Sequence, residues 1–217
     1  MAASPRWTGF FLTFEGPEGS GKSTQIRRLR DHLVAAGRSV LLTREPGGTP
    51  VGDKIRALLL DPGGGPLEAA TEACLMLAQR AEHLRQVIRP ALAAGTVVLC
   101  DRYADSSLAY QGYARGLGAD LVRELHERTL GDFLPDLTVL FDIDPALGLE
   151  RARHGGKKSF DRMESEAVAF HQKVRNGYLD LAGREPHRFL VIDAAVPPDR
   201  VFSALLQGLR ERSPGIL

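Results

Sequence analysis

Two hydrophobic rhythms alternate along the chain. Nearly unbroken apolar blocks at 10–14, 40–43, 96–100, 137–141 and 189–192 read as five buried strands. Between them apolar residues recur at helical spacing: Ile26, Leu29 and Leu33 after the first block, Val51, Ile55, Leu58 and Leu59 after the second, and Val201, Leu205 and Leu209 after the last. The first helix is predicted over about 21–36, ending at Gly37, a residue suited to a left-handed cap. A glycine-rich loop covers 61–66, and an unusually apolar helical stretch runs from 67 to about 94, where Pro90 marks a kink or a new start. Leu121, Leu125 and Leu130 outline a further helix, 145–152 a short one, and about 165–182 a long one. Residues 153–159, basic and glycine-containing, read as a mobile loop. Strands alternating with helices imply parallel strands joined by right-handed crossovers. The fold class is therefore α/β: one domain over residues 1–217, a five-stranded parallel sheet with helices on both faces, and no internal repeat. In such sheets ligands bind outside the carboxyl ends of the strands. That rule gathers the loops after the first three strands around one crevice.

The loop after the first strand is Gly16, Pro17, Glu18, Gly19, Ser20, Gly21, Lys22 and Ser23, followed by Thr24. GxxxxGK[ST] between a strand and a helix is the phosphate-binding loop. Its glycines let backbone N–H groups turn inward toward a polyphosphate, aided by the N-terminus of the helix. Lys22 is expected to reach the β- and γ-phosphates of ATP and Ser23 to ligate Mg²⁺. Asp101, at the end of the third apolar block, has the form of the second metal-linked motif and is expected to hold Mg²⁺ through water.

Composition narrows the partners. The 28 Lys and Arg against 27 Asp and Glu give no global argument for nucleic-acid or membrane binding. Cys74 and Cys100 form no metal-ligand spacing and read as buried small hydrophobes. The N-terminal residues contain no apolar stretch of signal-peptide length, and no segment has the length of a membrane span, which points to a cytoplasmic protein.

The acceptor of the phosphoryl group could be water, a hydroxyl or another phosphate. Arg44 and Arg102 stand at separate strand ends, and two guanidiniums beyond Lys22 suit a second anion drawn in against the charge of the donor. A phosphate acceptor needs no strong general base, in keeping with six scattered histidines that form no catalytic spacing. Arg151, Arg153, Lys157 and Lys158 form a basic segment that is either a solvated loop or a lid, at about 151–160, that closes over the phosphates. A nucleoside monophosphate kinase, a deoxynucleoside kinase with Glu18 as base, and a slowly hydrolysing nucleotide switch stay open at this point.

FEGPEGSGKSTQ (14–25), TREPGGTP (43–50), IRPALAAG (88–95), DRYADSSLAYQG (101–112), PDLTVLFDIDP (135–145) and FDRME (160–164) together resemble the thymidylate kinases over nearly the whole length. The resemblance implies a P-loop nucleoside monophosphate kinase fold and phosphorylation of dTMP by Mg-ATP in a homodimer joined through apolar helices that include 67–84. It implies that Arg44 and Arg102 hold the acceptor phosphate, with Ser106 in the same segment, and that Glu18 lies near the sugar 3′-hydroxyl. Arg80 would meet thymine O4, Tyr110 would pack where a ribose 2′-hydroxyl would go, and Gln111 would lie beside the base. Catalytic work would fall to Lys22, Arg102, Arg153 and Glu18, the lid arginines replacing an arginine that other subtypes carry in the loop. Where the family often stacks a phenylalanine on thymine, this chain has Met76.

Overall fold

The computed structural model describes residues 7–154 and 161–217. Five parallel strands, β1 (Phe10–Glu15), β2 (Val40–Arg44), β3 (Val97–Asp101), β4 (Leu137–Asp142) and β5 (Phe189–Asp193), form one sheet in the order β2-β3-β1-β4-β5. Alternate residues of β1 serve opposite faces. Leu12 and Phe14 pack with Ile26, Leu29 and Leu33 of α1 (Lys22–Ala35) and with Val201, Leu205 and Leu209 of α9 (Pro198–Arg212). Phe11 faces the other way, onto Leu84, Ile88 and Leu92. On that second face α8 (Val168–Arg184) lays Val174, Tyr178 and Leu181 against Leu140 and Phe189. Both faces being covered, the strands carry apolar runs rather than alternation.

Register fixes the site. Phe14 pairs with Asp101 and Arg44 pairs with Asp101, so the ends of β1, β3 and β2 stand level. Beyond β2 the chain turns into α2 (Pro50–Leu60), whose first turn is capped by the Thr49 hydroxyl accepting from Gly52 N at 2.9 Å, with Pro50 at the position where a missing N–H costs nothing.

The helical stretch predicted from 67 is α3 (Ala69–His83), a wider π-type turn at Leu84–Ile88, and α4 (Arg89–Ala93), which carries Pro90 in its first turn. The turn absorbs the hydrogen bond that proline cannot make. After β3, α5 (Ala104–Ser107) opens into a second π-type segment, Leu108–Ala114, before α6 (Ala119–Leu130). That helix buries Val122 and His126 and leaves Leu121 exposed.

Two boundaries differ from the sequence reading. The helix predicted to end at 152 is α7 (Pro145–His154), which puts Arg153 on a helix rather than in a loop; between Leu149 and His154 there is neither glycine nor proline, so its backbone can continue. The long helix starts at Val168 rather than 165, because Asp161 first builds a local turn: its Oδ1 accepts from the N–H groups of Met163 and Glu164, and Glu164 Oε2 accepts from Asp161 N. Cys74 is a further correction. It is exposed, on the solvent side of α3, whereas Cys100 is buried in β3 and donates to Arg102 O at 3.0 Å.

Candidate active site

The loop from Gly16 to Lys22 is held by close packing. A Cβ at Gly19 would lie 1.8 Å from Gly148 O on α7, and one at Gly16 would lie 2.3 Å from Phe141 O at the end of β4; both glycines have positive φ. Gly21, also at positive φ, leads α1 with no side chain capping it, so the first N–H groups of the helix stay available to an anion. Lys22 Nζ donates to Gly16 O at 2.8 Å and Pro17 O at 2.9 Å. Burial, then the neighbouring Arg102, pushes the lysine below its ordinary pKa against the pull of Glu18, Asp101 and Glu15.

A cavity of about 560 Å³ lies over this loop. Residues 18–24 form one wall, with Asp101 and Arg102 from the end of β3 and Arg44 from the end of β2. Ser23 Oγ donates to Asp101 Oδ2 at 3.3 Å. A hydroxyl and a carboxylate side by side are the oxygen donors Mg²⁺ accepts while keeping several waters, so the pair fits that ion. No cluster of three or more His, Cys, Asp or Glu suited to a metal occurs among the described residues.

Arg102 is a non-glycine residue at φ 70°, in the left-handed region, and its N–H donates to Phe14 O at 3.0 Å. The turned backbone aims its guanidinium at the loop. There it pairs with Glu18, donates to Tyr178 Oη at 3.1 Å and Ser106 Oγ at 3.3 Å, and lies 5.1 Å over the Tyr110 ring. Arg44 is exposed and forms no ion pair among the described residues. Below this group Glu15 is fully buried, taking Tyr103 N at 2.8 Å, Ser106 Oγ at 2.6 Å and Tyr178 Oη at 2.8 Å.

Met76, Ser106, Tyr110 and Gln111 also line the cavity, and Tyr110 Oη donates to Glu18 Oε1 of the loop at 3.4 Å. Arg80 is not among the lining residues. Its guanidinium is buried, with Nε on Glu45 Oε2 at 2.7 Å and one terminal nitrogen on Tyr103 O at 3.0 Å and Ser107 Oγ at 2.9 Å. His83 completes this pair, 3.0 Å from Glu45 and 2.6 Å from Thr43. Burial alone would raise the Glu45 carboxyl, but Arg80 and His83 outweigh it and hold Glu45 below the ordinary range. Of the basic segment, Arg151 is turned away from the cavity, bonded to Ala194 O at 2.7 Å and Ala195 O at 2.6 Å. Arg153 is exposed on the last turn of α7, and Lys157 and Lys158 lie outside the described residues.

Sequence reading did not single out Arg56, Glu72 or Arg162, all of which line the cavity. Arg56 is on α2 and donates to Pro46 O at 2.9 Å. Its signal was weak, an arginine on a helix entered from the TREPGGTP turn. Glu72 and Arg162 meet at 2.7 Å across 90 residues, which no local pattern reveals.

Comparison with known proteins agrees with this geometry. A family model described as thymidylate kinase matches residues 14–205. The chain belongs to the thymidylate kinase family. It is 52% identical over 204 residues to the thymidylate kinase of Deinococcus radiodurans, covering 94% of this chain and 98% of the relative. It is 45% identical over 207 residues to that of a Geobacillus species, covering 95% and 99%, and 53% identical over 200 residues to that of Solidesulfovibrio magneticus, covering 90% and 96%. The P-loop kinase fold implied by the sequence is thus the fold of the family, and no helix among the described residues is long and apolar enough to cross a membrane.

Proposed function

We propose that this chain phosphorylates dTMP to the diphosphate with Mg-ATP as donor. The observation that supports it best is one cavity lined by a phosphate-binding loop, by Arg44, Arg56 and Arg102, and by Met76, Tyr110 and Gln111. The N–H groups of the loop and of the first turn of α1 bind the donor phosphates, and Lys22 leaves its carbonyl partners for the β- and γ-phosphates. Ser23 and Asp101 would hold Mg²⁺, which would supply positive charge to neutralise the donor phosphates.

Arg44 and Arg102 hold the acceptor phosphate. Glu18, paired with Arg102 in this structure, gives up the guanidinium to it and turns toward the sugar hydroxyl. A phosphate monoester has a second pKa near about 6, so its attacking oxygen is already ionised at neutral pH and no residue is required as base. Catalysis is then positioning and charge stabilisation. Arg153, with Lys157 and Lys158, adds cations over the transferring group as a lid. The base lies on Met76 beside Gln111, and Arg80, held through Nε by Glu45, meets thymine O4.

Replacing Arg44 or Arg102 by Met tests the reading. The KM for dTMP is expected to rise at least about tenfold, one guanidinium–phosphate contact being worth 1.5–3 kcal/mol, with little change for ATP. A rise confined to ATP would reassign both arginines to the donor. We also place the enzyme in the cytoplasm with its nucleotide substrates, as a homodimer joined through the apolar helices that include 67–84. Sedimentation at the mass of a single chain would count against that assembly.

A further inference from the structure

We propose that Glu72 is a specificity-positioning residue, which fixes the Gln111 amide with its carbonyl oxygen toward the acceptor base and so selects a pyrimidine whose ring N3 carries a hydrogen. The inference rests on the reading of Gln111 as a wall of the base pocket and deepens it.

Gln111 lines the cavity from the π-type segment after α5 and is 3% exposed. Its Nε2 donates to Glu72 Oε1 at 2.7 Å, whereas its Oε1 is buried and has no hydrogen-bond partner. Glu72, 1% exposed on α3, is surrounded by donors. Oε2 accepts from Arg162 at 2.7 Å, and Arg115 reaches Oε1 and Oε2 at 3.4 Å each. Both arginines are themselves anchored, Arg162 by Leu59 O at 2.8 Å and Arg115 by Glu166 at 2.6 Å.

A carboxylate between two guanidiniums only accepts, and an amide has one donating and one accepting side. Turning the Gln111 amide over would set two acceptor oxygens against each other at the present 2.7 Å contact. Glu72 therefore decides which side is left for a ligand. A buried acceptor without a partner is matched by a donor. Thymine and uracil present N3–H; cytosine presents a bare N3 lone pair and is repelled. This discrimination is independent of the 5-methyl group.

The test is kcat/KM for dTMP, dUMP and dCMP in wild type, Glu72→Gln, Gln111→Leu and the double variant. The ratio between substrates cancels any loss of folded enzyme, so a poorly stable variant still reports. In Glu72→Gln the new amide can donate or accept and the Gln111 amide is freed. The dTMP-to-dCMP ratio is expected to fall about tenfold or more, part of the roughly 10⁴-fold that a site built to hydrogen-bond a group supplies. The dTMP-to-dUMP ratio stays unchanged. Gln111→Leu lowers the first ratio as well, and the double variant lowers it no further. Glu72→Asp, which keeps a carboxylate, retains more of the ratio than Glu72→Gln. An equal fall for all three substrates in Glu72→Gln would make Glu72 a brace for Arg115 and Arg162 and overturn the inference. So would a further fall when Glu72→Gln is added to Gln111→Leu. If Gln111→Leu itself leaves the ratio intact, the reading of Gln111 beside the base fails first and takes the inference with it.

Discussion

Lys22 is the side chain whose present contacts differ most from its proposed working ones. Its ammonium is satisfied by two carbonyls of its own loop, and burial weakens its hold on the proton. Both facts prepare it to exchange neutral acceptors for phosphate oxygens. Lys22→Ala is expected to lower kcat about 10²-fold or more, the loss typical of one transition-state donor, with an unchanged unfolding midpoint. Normal kcat in a folded variant would remove the loop from the chemistry. Glu15 makes a second, independent prediction. Burial first, then Asp105, raises its carboxyl to about 7 against the opposing pull of Arg102, Ser106 and Tyr103 N. The folded chain thus keeps a proton that the unfolded chain releases between pH 4.5 and about 7, and this group's contribution to stability is lost as pH rises through that window. Glu15→Gln removes the dependence. Relative to that variant, wild-type stability from urea unfolding should decline by about 3 kcal/mol across the window and then stay level. A difference that does not vary with pH would contradict it. Lys22, Ser23, Asp101, Arg44 and Arg102 were legible in the sequence because local spacing defines them. The partners of Glu15 were not, since Tyr103, Ser106 and Tyr178 arrive from 88, 91 and 163 residues away.

At the scale of elements, the loop depends on α7 as well as on its own glycines. Gly148 lies on α7, yet a Cβ there would fall 2.2 Å from Glu18 O. Gly148→Ala should therefore push the loop out of place. A misplacement of about 1 Å in a positioning element can cost about 10²-fold, so a drop in kcat/KM for ATP between tenfold and a hundredfold is expected. Unchanged kinetics would show that α7 yields and the loop does not. The strands and the main helices were readable because buried runs and helical spacing survive in sequence. What escaped was set by side chains reaching back to the main chain. Asp161 caps its own turn and delays α8, and the segment 108–114 adopts a widened helical turn with no periodic signature. Arg80 is the instructive case. Its role came from the resemblance alone, and its pairing with Glu45, 35 residues earlier, has no local signature.

For the whole molecule, the parallel order β2-β3-β1-β4-β5 brings the loops after β1, β2 and β3 to one edge, which is where the strand-end rule placed them. The ends of β1, β2 and β3 stand level because β1 and β2 both align on β3, so the shared cavity is a consequence of register. The family and its fold were legible from the loop, the arginine-bearing strand ends and the TREPGGTP and DRYADSSLAYQG segments. The buried network behind them was not, because it is built from contacts between distant elements. The central claim is that the transferred phosphoryl group goes to a nucleotide phosphate in this cavity. Its most direct test is to supply the purified chain with Mg-ATP and, in parallel, thymidine, dTMP, dUMP and dCMP, and to identify the products. The account predicts a diphosphate formed chiefly from dTMP, less from dUMP and least from dCMP. A monophosphate formed from thymidine, or ATP hydrolysis indifferent to all four, would contradict it.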